Sequence, residues 1–291
     1  MPDDLTPGIR LSLQQLPFDG GRMAWRGVAA APTAAPGRPP LVLFHGGHGS
    51  WAHWARNLQA LSQQRQVWVA DLPGYGDSDA PAAPTWDALL TATQQSLDAL
   101  LGPAAPIALA GFSFGGLVAA HLAARRGAVA CLALLGPAGH GGPRRPRGEL
   151  RAWRDAWASG DAAALRDTMR HNLQVHMLAG PVDDEAVAIH TQACVRTRFH
   201  SKTISRAGGL RAALSQLTCP VLLAWGEHDV TATPALLAPA LAAACPQAQT
   251  HTVPGAGHWV QYEAAEAINA LLNTWLADRD TMVPTPRAPR I

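Results

Sequence analysis

The sequence predicts an α/β protein with an eight-stranded, mostly parallel sheet flanked by helices and a helical insertion after the sixth strand. Two observations carry this prediction. Strand-like and helix-like stretches alternate along the chain, which is the pattern of parallel sheets with helices on both faces. The stretches Leu41–Phe44 and Val67–Ala70 are apolar at every position, as in strands that are buried on both faces.

Composition sets the bounds of the protein class. The chain has 291 residues, of which 48% are hydrophobic and 15% charged, so it has ample material for one core with an insertion. A formal net charge of +2 gives no reason to expect a nucleic-acid partner or an anionic membrane surface. Met1–Asp4 does not begin a signal peptide, and no apolar run is long enough to span a bilayer. We therefore expect a cytoplasmic protein, and a homodimer stays open.

The cysteines do not indicate a metal or disulfide framework. Cys131 and Cys219 lie in or beside apolar strands, and the four cysteines show no Cys-x-x-Cys spacing. Buried free thiols are the expected state. Neither a metal-ligand cluster nor a phosphate-binding glycine loop with lysine is present in the sequence, so we expect no cofactor.

The elements follow in order from the amino terminus. Asp19-Gly20-Gly21 supplies a hairpin turn between the first two strands, and Thr85 is a plausible N-cap for a helix. The predicted strands are 11–18, 22–29, 41–44, 67–70, 106–110, 128–135, 220–225 and 248–253. The predicted helices of the α/β part are about 50–63, 85–101, 115–126, 234–244 and 263–277.

The alternation stops at Gly136, and residues 137–216 contain no convincing strand. Helical patterns around 148–158, 161–178 and 183–199 predict a helical cap inserted into the core. The division that follows is a first core part at 1–136, a cap at 137–216, a second core part at 217–280 and a loose tail at 281–291.

The most informative turn surrounds Ser113. A short apolar strand runs into Gly111-Phe112-Ser113-Phe114-Gly115 and continues as an Ala- and Leu-rich helix. Glycines two positions on either side allow neighbouring backbone to approach closely, and the serine is held at the tip of the bend. The alternative is a glycine-rich turn that connects strand to helix and has no catalytic role.

Two further polar sites directly follow predicted strands, where open α/β sheets place their chemistry. Asp229 lies in Gly226-Glu227-His228-Asp229, and His258 lies in Gly255-Ala256-Gly257-His258. A serine nucleophile needs an imidazole base, and the imidazole needs a carboxylate that orients it. Ser113, His258 and Asp229 supply these types, with Glu227 as the second choice of acid. Backbone N–H groups of Phe114 and Gly47 are the natural oxyanion donors.

With these motifs, the sequence from about residue 11 to 278 resembles the α/β-hydrolase-fold serine hydrolases. The matching blocks are His45-Gly46-Gly47 with Ser50-Trp51, Asp71 to Ser78, Gly111 to Gly116, Gly226 to Asp229, and Gly257-His258. The resemblance implies Ser113 as nucleophile, His258 as base and Asp229 as orienting acid. It argues against epoxide hydrolases and haloalkane dehalogenases, which carry an aspartate where this chain has Ser113.

Several further residues are candidates for contact with the substrate. Pocket candidates are His48, Trp157, Met177, Arg198 and Trp259. For Arg196 and Arg198 the sharper hypothesis is that one of them binds a substrate carboxylate, because the guanidinium fork suits that task. The alternative, for these arginines and for the basic residues at 144–151, is a solvated face.

The expected activity is cleavage of a small to medium carboxylic ester through an acyl-enzyme. Hydrolysis of a carbon–carbon bond in a ring-cleavage product needs a similar fold and triad, so it stays as an alternative. A perhydrolase-like activity that forms peracids from the same acyl-enzyme is also open. A ligand sensor with little turnover is the alternative from a different class.

Overall fold

The computed structural model describes residues 5–280 of the protein. Eight strands within this range form one sheet. Its strands are β1 (Ser12–Phe18), β2 (Gly21–Val28), β3 (Leu41–Phe44), β4 (Val67–Ala70), β5 (Ile107–Phe112), β6 (Val129–Leu135), β7 (Val221–Gly226) and β8 (Ala248–Val253). Their order across the sheet is β1-β2-β4-β3-β5-β6-β7-β8. The β1–β2 and β2–β4 pairs are antiparallel and the others are parallel, so the predicted sheet is confirmed.

A short 3-10 helix at Trp51–Trp54 precedes the first α-helix of the described residues. The α-helices are α1 (Leu58–Ser62), α2 (Trp86–Leu101), α3 (Phe114–Arg126), α4 (Trp153–Ala158), α5 (Ala162–His176), α6 (Asp184–Val195), α7 (Lys202–Ala207), α8 (Leu210–Leu214), α9 (Pro234–Ala244), α10 (Val260–Glu263) and α11 (Ala265–Asp280). As predicted, Thr85 caps α2, because its hydroxyl accepts the N–H of Ala88 at 3.3 Å.

The helix predicted over 50–63 is interrupted. Asp71 accepts the N–H of Trp51 at 2.7 Å, and the Trp54 indole donates to the carbonyl of Phe44 at 3.1 Å. These buried contacts hold the first turn as a 3-10 helix and separate it from α1. Tertiary contacts therefore override the local helical pattern here.

The segment between β6 and β7 holds five helices, α4 to α8, and no strand in the described chain. Residues 148–152 are not helical, contrary to the prediction, because the Asn172 side chain bonds both backbone groups of Arg151 at 2.8 and 3.0 Å. The helices α7 and α8 were not predicted. The boundaries of a separate cap domain stay a prediction, and the predicted tail at 281–291 lies outside the described residues.

Strand β5 is buried on both faces, which fixes the position of the turn that follows it. Leu109 packs in the apolar cluster on one face, while Ala110 and Phe112 pack in the cluster on the other. Alternation of this kind follows from the two-residue period of a strand. Among residues 5–280, no helix has the length and apolar character needed to cross a bilayer. The four cysteines are free thiols.

Candidate active site

Ser113 lies at the bend between β5 and α3, with a backbone φ of 53°. A Cβ on Gly111 would lie 2.3 Å from the carbonyl oxygen of Gly115, and a Cβ on Gly115 would lie 2.3 Å from that of His45. Real side chains do not tolerate such distances, so both positions require glycine. The bend therefore has the close backbone packing expected of a nucleophile elbow.

Three polar side chains form a continuous hydrogen-bonded chain at this bend. His258 Nε2 lies 3.0 Å from Ser113 Oγ, and His258 Nδ1 lies 2.9 Å from Asp229 Oδ2. Asp229 accepts a hydrogen bond from the Nδ1–H group, so the Nε2 lone pair faces the serine hydroxyl. Asp229 is fully buried and His258 is 3% exposed. The structure thus brings the three predicted side chains together in the predicted order.

Asp229 is held ionised by its neighbours. Burial on its own raises the pKa of this carboxyl, but the attraction of His258 and the hydrogen bonds from His258 and Thr231 outweigh burial and leave it below its usual value. Thr231 donates its N–H at 2.7 Å and its hydroxyl at 2.8 Å to Asp229 Oδ1. Gly136 is packed against the Asp229–His258 pair, since a Cβ there would lie 3.0 Å from Asp229 Oδ2 and 3.1 Å from His258 Nδ1.

The loop after β3 is fixed on both sides of Gly46. His45 donates from Nδ1 to the carbonyl of Gly46 at 2.7 Å, and His53 Nδ1 accepts the N–H of Gly46 at 3.3 Å. Within the described residues, the N–H groups of Gly47 and Phe114 have no hydrogen-bond partner. Both residues are next to Ser113, since Gly47 and Ser113 line one cavity and Phe114 starts α3. These two N–H groups are available as donors.

Backbone strain is concentrated at the same place. His48 and Ser113 are the two non-glycine residues with positive φ in the described chain, at 54° and 53°. Such conformations cost free energy and persist only where the surroundings impose them. Both residues line the cavity above the Ser113–His258 pair.

This cavity has a volume of about 580 Å³ and opens over Ser113 and His258. Two of the predicted pocket residues, His48 and Met177, line it. Burial, with the nearby charges of Arg154, His200 and Lys202, lowers the pKa of His48 to about 4, so its imidazole is neutral near pH 7.

Three predicted pocket residues lie elsewhere. Trp157 is 55% exposed and does not line the cavity. Trp259 is fully buried, where its indole donates to the His53 carbonyl at 3.1 Å and stacks on Tyr262. The Arg198 guanidinium bonds the carbonyl of Ser78, in the loop after β4. These predictions are wrong, because packing and backbone contacts take up the three side chains.

The neighbouring acids and arginines are placed as follows. The predicted alternative Arg196 pairs with Asp77, away from the cavity lining. Glu227, the second choice of acid, is half exposed and accepts the N–H of Gly255 at 2.9 Å, so it does not approach His258. Among residues 5–280, no group of three His, Cys, Asp or Glu side chains is arranged to hold a metal ion.

Two contacts at the site were not predicted. Thr231 follows Asp229 by two positions, and a hydroxyl so close to a buried acid is a local signal that sequence inspection can use. His53 lies in the 3-10 helix and reaches Gly46 only through the fold of the loop. No local sequence pattern signals that contact.

Comparison with known proteins defines the family. Residues 41–271 match the model of the alpha/beta hydrolase family, to which the chain belongs. It is 30% identical over 260 residues to a 2-hydroxymuconate semialdehyde hydrolase of Pseudomonas sp. (strain CF600), covering 83% of this chain and 88% of that protein. The structure is also similar to naproxen esterase (carboxylesterase NP) from Bacillus subtilis, with a TM-score of 0.74, 20% identity and 94% of each chain covered. The protein is accordingly a hydrolase with this fold.

Another relative is longer than the matched region. The chain is 32% identical over 257 residues to the dihydrolipoyllysine-residue acetyltransferase component of the acetoin cleaving system of Pseudomonas putida. The match covers 82% of this chain but only 64% of that protein.

Proposed function

We propose that the protein hydrolyses a small to medium carboxylic ester through an acyl-enzyme on Ser113. The observation that carries this proposal is the chain from Ser113 Oγ to His258 Nε2, at 3.0 Å, and from His258 Nδ1 to Asp229 Oδ2, at 2.9 Å. A hydroxyl at hydrogen-bond distance from a base that is itself oriented by a buried carboxylate is the arrangement of an activated nucleophile.

Acylation starts at the serine hydroxyl. Ser113 Oγ attacks the ester carbonyl carbon while its proton passes to His258 Nε2, and the carbonyl π electrons move to oxygen. Asp229 stabilises the imidazolium that forms, since it is ionised and hydrogen-bonded to Nδ1. The N–H groups of Gly47 and Phe114 donate hydrogen bonds to the tetrahedral oxyanion and stabilise its negative charge. When the carbon–oxygen bond of the leaving group breaks, His258 returns the proton to the alcohol.

Deacylation repeats these steps with water. His258 removes a proton from a water molecule, whose oxygen attacks the acyl carbon, and the second tetrahedral intermediate breaks the bond to Ser113 Oγ. The proton returns to Ser113, and the acid leaves. One water is consumed for each ester, with one acid and one alcohol as products.

The test is a p-nitrophenyl ester series from acetate to octanoate, followed by nitrophenolate release. We expect turnover of the wild type that is lost in Ser113→Ala, with kcat/KM falling beyond the chain length that the cavity accepts. Equal rates for wild type and Ser113→Ala would contradict the proposal.

Hydrolysis of a carbon–carbon bond is the second candidate. It is favoured by the similarity to a 2-hydroxymuconate semialdehyde hydrolase, whose named substrate contains no ester bond. Turnover of a conjugated ring-cleavage product, followed by loss of its visible absorbance, would distinguish the two. Faster cleavage of that compound than of every ester would favour carbon–carbon bond hydrolysis over ester hydrolysis. A folded wild type without turnover of either class would favour a ligand sensor.

A further inference from the structure

The cavity over Ser113 is lined by many more cations than acids. Among its lining residues Asp155 is the single acid, whereas six residues are arginine or lysine. We call these six the rim cations: Arg144, Arg147, Arg151, Arg154, Lys202 and Arg206. Apolar groups such as Phe112, Met177 and Trp153 fill the spaces between them.

The rim cations are not neutralised by the protein. None of them forms an ion pair within the described residues, whereas Arg126 pairs with Asp98 and Arg196 pairs with Asp77 elsewhere in the structure. Burial, followed by the nearby charges of Arg206 and Arg147, lowers the pKa of Arg144. All six are exposed to solvent, which screens part of their mutual repulsion. Because they line one cavity together, they give it a positive potential that favours an anion.

The segment that carries four of these cations is fixed in place. The Arg145 N–H donates to the carbonyl of Val230 at 3.1 Å, next to Thr231. The buried Asn172 side chain accepts the Arg151 N–H at 2.8 Å and donates to the Arg151 carbonyl at 3.0 Å. The backbone of this segment is thus tied to α5 and to the loop that holds Asp229.

The rim cations act on two histidines that line the same cavity as Ser113. Arg154 and Lys202 lie close enough to His48, beside Gly47, to lower its pKa together with burial. Arg147 acts likewise on His176, whose ring centroid is 5.8 Å from that of His258. An ester bound at Ser113 therefore lies in a cavity whose lining carries a net positive charge.

We infer that the substrate is an ester that carries an anionic group, a carboxylate or a phosphate, away from the bond that is cleaved, and that the rim cations bind this group. Arginine forks and the lysine ammonium provide charge-assisted donors for either anion. Focused positive potential in a cleft also raises the rate at which an anion arrives. This inference rests on the proposed ester hydrolysis at Ser113 and names its substrate class.

The test compares esters that differ only in charge. Monomethyl adipate is matched with methyl hexanoate, in which a methyl group replaces the carboxylate. Acetylated glycerol phosphate is matched with acetylglycerol, which lacks the phosphate. We expect kcat/KM for at least one anionic ester to exceed that of its neutral partner by about 10-fold or more. The preferred pair tells carboxylate from phosphate, and no preference in either pair overturns the inference.

Variants then assign the preference to the rim. We expect Arg147→Ala and Lys202→Ala to lower kcat/KM for the preferred anionic ester by about 10-fold, with less than about 2-fold change for the neutral ester. Arg166→Ala is the matched control, because Arg166 is exposed on α5 and does not line the cavity. Raising sodium chloride from about 20 mM to about 500 mM should reduce the preference, since salt screens exposed charges.

The two proposals fail in different ways. If neutral and anionic esters are hydrolysed equally well, and both rim variants behave like Arg166→Ala, ester hydrolysis stands and the anionic substrate class is wrong. If no ester of either kind is hydrolysed by folded protein and Ser113 does not react with an organophosphorus probe, the proposed ester hydrolysis itself fails.

Discussion

At the floor of the cavity each charged group faces a partner, whereas at its rim the cations face none. The floor comprises Ser113, His258 and Asp229, with Gly46 and Gly47 of the loop after β3 and Gly115 in the first turn of α3. There the buried carboxylate is bonded to His258 and Thr231, and backbone packs at glycine distances. The rim cations have no acidic partner within the described residues. The polar side chains of the floor are all bonded within the protein, whereas the rim cations have no ion-pair partner in the described part of the chain. We therefore assign the reaction to the floor and the selection of the substrate to the rim.

The largest effect on this comparison should come from breaking the floor at Asp229. In Asp229→Asn the amide no longer stabilises an imidazolium, so we expect kcat to fall by about 10⁴-fold. Initial rates with p-nitrophenyl butyrate measure the kcat of the wild type and of this variant. Glu227→Gln is the control, because Glu227 bonds Gly255 and lies away from His258. Similar losses in the two variants would contradict the assignment of the acid.

A second way to break the floor is to add one methyl group. In Gly115→Ala the new Cβ would lie 2.3 Å from the carbonyl oxygen of His45 and 2.6 Å from that of Phe44. Since backbone cannot yield as a side chain does, we expect the free energy of unfolding to fall by about 3 kcal/mol or more. Urea denaturation measures this change.

The matched substitution beside the rim is Gly148→Ala, one residue after the rim cation Arg147. Its new Cβ would approach a methyl group of Val175, at 3.0 Å, and that side chain can rotate. We expect a loss below about 1 kcal/mol. Equal urea midpoints for the Gly115 and Gly148 variants would show that the floor is not packed more rigidly than the rim.

Thr231→Val sharpens the account of the floor, because valine keeps the shape and removes the hydroxyl that Asp229 accepts at 2.8 Å. The backbone N–H bond to Asp229 remains, so we expect a moderate loss of about 10-fold in kcat. The pKa of Asp229 should rise toward its ordinary value, and the acidic limb of the pH–rate profile should change. A merely structural threonine would leave that profile in place.

A further effect concerns stability against acid. Burial, then the charges of His258 and Arg147, lowers the pKa of His176 to about 3, and its Nδ1 has no hydrogen-bond partner among the described residues. The folded protein therefore excludes a proton that the unfolded chain binds below its pKa of about 6.5, and stability is lost as pH falls from there toward 3.

His176→Gln removes this contribution. We expect the free energy of unfolding to fall less steeply than in the wild type between pH 6 and 4, by about 1.4 kcal/mol per pH unit. Denaturant titrations at several pH values measure the slope. The exposed His251 provides the control His251→Gln. Identical slopes for wild type and His176→Gln would contradict a neutral, partly buried His176.

The floor could be predicted from the sequence because its parts follow strands directly. Ser113, Asp229 and His258 each come within five residues of the end of a strand, and parallel strands bring their carboxyl ends to one edge of a sheet. The Asp229–His258 contact joins residues 29 positions apart, and the His258–Ser113 contact joins residues 145 apart. The positions after strands, together with the resemblance to the α/β-hydrolases, led us to expect both contacts.

The rim could not be predicted in the same way. Arg198 looked free for a substrate, but its guanidinium reaches the carbonyl of Ser78, 120 positions earlier in the chain. Arg147 and Arg151 are exposed, as the solvated alternative expects, but a loop held by Asn172 also places their segment along the cavity. Side-chain direction in an irregular segment depends on tertiary contacts that no local period encodes.

The most direct test of the central claim is labelling of the purified protein with a fluorophosphonate, read by intact mass and compared with Ser113→Ala. We predict one phosphonyl group per wild-type chain and none on the variant, because only a serine activated by His258 reacts readily with such a probe. Labelling that persists in Ser113→Ala, or a folded wild type that does not react, would contradict a nucleophilic role for Ser113.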